Sequence, residues 1–301
     1  MSEKATGMVL GSFIGDSLSL GVHWIYSTER IVRQFGRVDD LLQPQGNSYH
    51  KTKARGDFTN CGDQAFVLLE SLAACRGFRF EDFSGRWLDT FSDYRGYIDQ
   101  AMRGTLQNFA LGKGPLESGS SSNDLSGASR IAPLVYFLKH DLEALVDASR
   151  LQPPLTHSNA LPVEASEFLA RVCVLVLQGA PPADAVWQVA GECFADTRIS
   201  GWVKDGYASR EQDSVAAIVG FGQNGQVPEA FPGVIHLIMK YGNDPGEALT
   251  QAVMAGGDSA SRAMAVGMVL GAHLGTKAFP GKWSDGINRA PEILALLGKM
   301  S

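Results

Sequence analysis

The sequence predicts an all-α fold, a single compact multi-helix bundle occupying residues 1–301 as one domain. Three observations lead there. Apolar residues recur at helical spacing in run after run, prolines fall between the runs, and no segment sustains the period-two alternation of a strand.

The first helix is marked by Gly7, Gly11 and Gly15. Residues four apart share a helix face, and a face without side chains lets another backbone come close. The pentapeptide GMVLG at 7–11 recurs at 267–271, where Gly267, Gly271 and Gly275 repeat the spacing. Helical glycine costs about 1 kcal/mol against alanine, so six of them call for close packing as compensation. Both glycine faces are therefore expected in the interior, against another helix. The match is too short to establish a repeat.

Residues 43–63 form a polar, irregular stretch holding Tyr49, His50 and Lys51. Long loops in compact helical domains are often functional. A helix follows over 65–75. The Gly/Ser-rich segment 112–126 reads as a flexible loop inside one domain, because Arg130-Ile131-Ala132-Pro133 resumes directly into an apolar helix. Further helices are expected over 164–177, 183–194 and 213–221, with Pro153-Pro154, Pro181-Pro182, Pro228 and Pro280 between the runs. Trp24, Trp87 and Trp187 lie in helical patterns and are expected in the core. A helix ending near Ala255 meets the second glycine helix through Gly256-Gly257-Asp258. Two glycines permit a tight turn and close approach to a ligand. Asp258 can cap the free amides of the next helix or hold a cation.

Composition narrows the function. With 45% hydrophobic and 19% charged residues the chain reads as a soluble globular protein. A net charge of −6 without a Lys/Arg run argues against a nucleic-acid partner. No basic-then-apolar leader and no apolar run of about 18 residues is visible, so no membrane partner is expected. Cys61, Cys75, Cys173 and Cys193 show no CxxC spacing, which suits reduced thiols in the cytoplasm.

Six short motifs occur in one order: Gly11-Ser12-Phe13-Ile14-Gly15-Asp16, Asp57-Phe58-Thr59, Ser126 to Pro133, Thr156-His157, Gly206-Tyr207 and Gly256-Gly257-Asp258. In that order the chain resembles the ADP-ribosylglycohydrolases, a family that includes the jellyfish J-crystallins, from about Gly7 to Trp283. The resemblance implies an all-α domain whose cleft holds two magnesium ions. It also implies hydrolysis of a glycosidic bond between ADP-ribose and an arginine, a serine or a small molecule. Magnesium prefers hard oxygen ligands, which the family draws from an early Thr-Asp-Asp-Thr motif and a late Asp-x-Asp-Thr motif. A glutamate seven residues after the first-helix aspartate serves as a catalytic carboxylate.

This chain departs from that pattern. The early motif reads Thr59-Asn60-Cys61-Gly62, the late one Asp258-Ser259-Ala260-Ser261, and the glutamate position holds His23. Of five carboxylates expected at those places, Asp258 alone remains, too few to offset two divalent ions. The His23-Trp24-Ile25-Tyr26 and Tyr49-His50 stretches are similar to those of a J-crystallin-like subgroup.

The resemblance implies catalytic roles for His23 and Asp258. It implies substrate contacts from Asn123, Ser126, Gly127, Arg130, His157 and Tyr207. Thr59, Asp258 and Ser261 remain as a weak or vestigial metal set for at most one magnesium. The expected activity is hydrolysis of an N- or O-glycosidic bond to ADP-ribose or a related nucleotide sugar. Two alternatives stand beside it. One is a catalytically silent ligand-binding or crystallin-like protein. The other is an enzyme using a Cys61–His23 pair.

Overall fold

The computed structural model describes residues 2–300, which are helical and contain no sheet. Two helices form its axis, Glu3–Ser19 and Ser259–Leu274. Each is buried on every face: Ala5 through Ser19 in one, Ser259 through Ala272 in the other. A helix this poor in charge belongs in a core. They run antiparallel with their glycines interleaved. A Cβ on Gly11 would collide with the carbonyl of Gly267, one on Gly7 with the backbone of Gly275, and one on Gly15 with Ala263. A Cβ on Gly271 would meet Gly7 in the same way. The glycine faces pack as expected, and against each other.

The remaining helices wrap this pair. Ala160–Leu177, Val227–Lys240 and Pro245–Met254 pack on the Ser259–Leu274 helix. Asn60–Cys75 packs between Phe80–Ser92 and Ala290–Lys299. Helices expected over 65–75, 164–177, 183–194 and 213–221 are present, each beginning within five residues of the expected start. Trp87 is fully buried, as expected. Trp187 is not: it is 37% exposed and stacks edge-on with Tyr207. The 112–126 segment also differs from the flexible loop expected. From Ser120 onward it is pinned by Ser120 N–H to Thr156 (3.0 Å), Leu125 N–H to Gly225 (2.7 Å) and Val227 N–H to Asn123 (3.0 Å).

Four buried histidines set the acid stability. Burial lowers His23, His50 and His157 to about 3, and His236 to about 4. Each stays neutral in the fold while its unfolded counterpart protonates below 6.5, so its contribution is full above 6.5 and is lost on acidification. Burial raises Asp16 to about 7 and Asp99 to about 6, which acts oppositely: their contribution is full below the unfolded pKa and lost as pH rises through those values. Four groups outweigh two. The urea midpoint should therefore be lower near pH 5 than near pH 7, and His236→Gln should flatten the slope. An equal or higher midpoint at the lower pH would contradict this.

Candidate active site

The Gly256-Gly257 turn is where the site begins. Both glycines take left-handed backbone, φ +68° and +65°. Side chains there would collide with the Ile25 and Gln223 carbonyls, so only glycine admits this approach. Gly257 and the 24–25 segment exchange two hydrogen bonds, Trp24 N–H to Gly257 (2.8 Å) and Gly257 N–H to Ile25 (2.9 Å). Trp24 is thereby held at φ +64°, a conformation costing a non-glycine residue about 1–2 kcal/mol. Its indole is consequently half-buried at the site rather than in the core as the sequence suggests.

Asp258 occupies the N-cap position of Ser259–Leu274 but its side chain makes no cap bond. Instead Oδ1 accepts the Ser261 hydroxyl at 2.8 Å and Oδ2 the Trp24 indole N–H at 3.3 Å. The helix start is met from elsewhere: Ala260 N–H points to His23 Nδ1 at 3.4 Å. His23 Nε2 is buried without a partner, as are both ring nitrogens of His50. His50 stacks on Trp24, which meets Tyr49 and Tyr97 edge-to-face.

Asp16 organises the start of the Asn60–Cys75 helix. Its carboxylate accepts Thr59 Oγ1–H (2.5 Å), Thr59 N–H (2.8 Å) and Gly62 N–H (3.0 Å). Burial raises Asp16 to about 7 against the pull of these three bonds. Thr59 in turn caps Asn60–Cys75 by accepting Cys61 N–H. Asn60 donates to Asp99 at 2.6 Å, leaving its own Oδ1 buried and unpartnered.

Two adjoining cavities open beside these groups. One, of about 320 Å³, is lined by Trp24, Tyr26, Tyr49 and Tyr97 with Asp99, Asp124 and Asp258 as its acids. The other, of about 540 Å³, is lined by Ser120 to Asn123, Gln107, Asn108 and the exposed Arg103. They share Gln100, Asp124 and Gln226. Burial, then the charge of Asp258, raises Asp124; burial, then Asp124 and Asp258, holds Asp99 at about 6. The charge of Asp258 supports the buried Arg262 guanidinium, although no salt bridge joins the two among the described residues.

The donors at the family's metal positions do not suit two magnesium ions. The Thr59 hydroxyl is committed to Asp16 and Cys61, and the Ser261 hydroxyl to Asp258. Asn60 offers a neutral carbonyl, Cys61 a soft sulfur, and Ala260 nothing. Among the described residues, no three His, Cys, Asp or Glu side chains are grouped to hold a metal.

Of the residues named from sequence, Asn123 lines the larger cavity and Asp258 the smaller. Ser126 and His157 instead bond each other at 3.2 Å, with Thr156 on the other ring nitrogen at 2.8 Å, and Gly127 is packed on that ring. Arg130 is fully buried, lines neither cavity and spans Gln152 (2.6 Å) and Gln64 (2.8 Å). Tyr207 lies outside both cavities, under Arg210. Burial pushes the Cys61 thiol well up and His23 down to about 3, so neither takes the charged form a thiolate–imidazolium pair needs. Asp99, Asp124, Tyr97 and Arg103 were not singled out by the sequence. Asp99 caps the Gln100–Ala110 helix and Asp124 precedes the Ser126–Ser129 turn of helix, and only the fold brings them to Asp258.

A family model described as ADP-ribosylglycohydrolase matches residues 1–300. Crystallin J1A of Tripedalia cystophora is 24% identical, covering 99% of this chain and 96% of that protein. An uncharacterized protein of Archaeoglobus fulgidus is also 24% identical, over 95% of this chain and 92% of its own length. A solved structure titled "ADP-ribosylglycohydrolase-related protein complex" superposes with a TM-score of 0.75 at 24% identity, covering 99% and 96% of the two chains. That likeness concerns the fold.

Proposed function

The chain belongs to the ADP-ribosylglycohydrolase family, and from that premise we propose that it hydrolyses an N- or O-glycosidic bond to ADP-ribose or a related nucleotide sugar without the family's two-magnesium centre. One observation carries this reading: the two adjoining cavities differ in chemistry as the two halves of such a ligand do. The acid-floored, aromatic-walled cavity suits a sugar and its scissile bond. The hydroxyl- and amide-lined cavity, with Arg103 at its edge, suits phosphate oxygens. Magnesium, where it binds at all, is a single weak ion at Asp258. His23 acts as a positioning residue, fixing Ala260 and with it the Asp258 turn. Ligand binding without turnover is the second reading, favoured by the likeness to proteins named crystallins.

Calorimetry with ADP-ribose in chelator tests the first step. Binding should occur without metal, and Arg103→Ala should weaken it by about tenfold through loss of a charged contact. Failure of ADP-ribose to bind at millimolar concentration would remove this reading, and two magnesium ions bound at micromolar levels would restore the ordinary family mechanism. Binding without release of any leaving group selects the silent alternative.

A further inference from the structure

We propose that a third cavity, sharing Trp24 and Tyr49 with the acidic one, is a binding site for a small aromatic carboxylate. It encloses about 240 Å³ between the 21–25 turn, the Thr28–Phe35 helix and the 45–49 turn. That is below the roughly 300–1,000 Å³ of sites for drug-sized ligands, so it suits one ring with a short polar arm. Trp24, Phe35 and Tyr49 supply aromatic wall. The Trp24 indole N–H is already given to Asp258, so Trp24 offers surface here and not a donor. The site stands whether or not the chain hydrolyses a glycosidic bond.

Charge and hydrogen bonding select an anion. Arg30 is the one charged residue on the lining, and no carboxylate pairs with it among the described residues. Its Nε–H goes to Gln34 at 3.0 Å, and the adjacent Glu29 accepts the Ser27 hydroxyl at 2.9 Å. The two terminal nitrogens of the guanidinium remain for a carboxylate fork. Gln45 and Asn47, both exposed, add amide donors. His23 is the buried donor. Burial keeps its ring neutral down to about 3, so one nitrogen carries the hydrogen. Ala260 N–H meets Nδ1 at 3.4 Å, which puts that hydrogen on Nε2. Among the described residues nothing accepts it, although His23 is only 2% exposed. A buried N–H without an acceptor is unfavourable, and a ligand oxygen supplies one. The acidic cavity has the same two shared walls, but with three aspartates and no cation on its lining. An anionic ring is thereby turned away from that cavity and toward this one.

The test uses the full chain with benzoate as probe and benzamide as its uncharged isostere, read by calorimetry and by tryptophan fluorescence. Benzoate should bind with a Kd of about 1 mM or tighter, and benzamide about tenfold more weakly. Arg30→Gln should weaken benzoate by about tenfold and leave benzamide unchanged, with thermal melts checking that the variant folds. Arg103→Ala, on the largest cavity, should leave benzoate binding unchanged. The fluorescence change on binding should vanish in Trp24→Phe while the heat of binding persists. Benzamide binding as tightly as benzoate, or benzoate binding indifferent to Arg30→Gln, overturns the site. So does benzoate binding that falls with Arg103→Ala, or a fluorescence change that survives in Trp24→Phe. No binding of benzoate at about 10 mM overturns it as well. None of these outcomes bears on the glycosidic-bond reading, which stands or falls with ADP-ribose in chelator.

Discussion

Replacing Gly11 with alanine should destabilise the fold by about 3 kcal/mol or more, at the upper end of overpacking penalties. The added methyl meets the Gly267 carbonyl and the Phe279 ring, and neither is a flexible end that can swing away. The two axial helices must then separate, which disturbs Gly7–Gly271 and Gly15–Ala263 as well. Gly267→Ala should do the same from the other side. A loss of this size lowers the melting temperature by on the order of 6–12 °C. Because both substitutions open one interface, the double variant should lose less than the sum of the singles. A Gly11→Ala protein that melts with the parent would refute the close contact.

Arg262→Met is expected to cost a similar amount for a different reason. The guanidinium is fully buried and donates to the carbonyls of Ala252 (2.8 Å) and Gly256 (2.6 Å), the last turn before Asp258. Burial lowers Arg262 to about 10, which still leaves it charged at neutral pH, and Asp258 is the neighbouring anion that supports it. Methionine fills the volume but strands two buried acceptors, at about 1–3 kcal/mol each. It also removes the local positive charge, so the acidic cavity should repel phosphate-bearing ligands more strongly. Chemical denaturation measures the first effect and ADP-ribose calorimetry the second. Unchanged stability would mean that water replaces the guanidinium and that the turn does not depend on it.

The fold was legible because its signals are local and repeated: glycines at spacing four, prolines between runs, and caps such as Asp213 and Asn159 that start their helices as side-chain acceptors. The two halves of the site were legible in part. Gly256-Gly257-Asp258 announces a close backbone approach, and Thr59 a helix start. What it did not announce is the partner of each group. Asp16 reads as a polar interruption in an apolar helix until the fold sets it under Thr59 and Gly62. Gly62 makes sense only there, since a side chain would strike the Asp16 carboxylate. The surroundings of Arg130 and His157 are hidden for the same reason: charge and imidazole next to a loop suggest ligands, and nothing local reveals the two glutamines or two hydroxyls they bond. Tyr207 rests on motif order alone, and its ring packs with Trp187 and Arg210 and lines neither cavity.

The axial helix pair has a bearing on how the protein is made. The Glu3–Ser19 helix leaves the ribosome well before its partner, because the surface that buries its glycine face is synthesised about 240 residues later. At roughly 5–20 residues per second that interval is on the order of 10–50 s. Throughout it the nascent chain carries a segment with no polar face to show to water. The segment must wait in a chaperone's grip or in a provisional cluster with the Asn60–Cys75 helix. Emergence of the Ser259–Leu274 helix then closes the axis and, in the same event, brings Asp258 to Trp24. Birth of the cleft thus waits for the Ser259–Leu274 helix, and a chain truncated before Ser259 is stranded without either its spine or its chemistry.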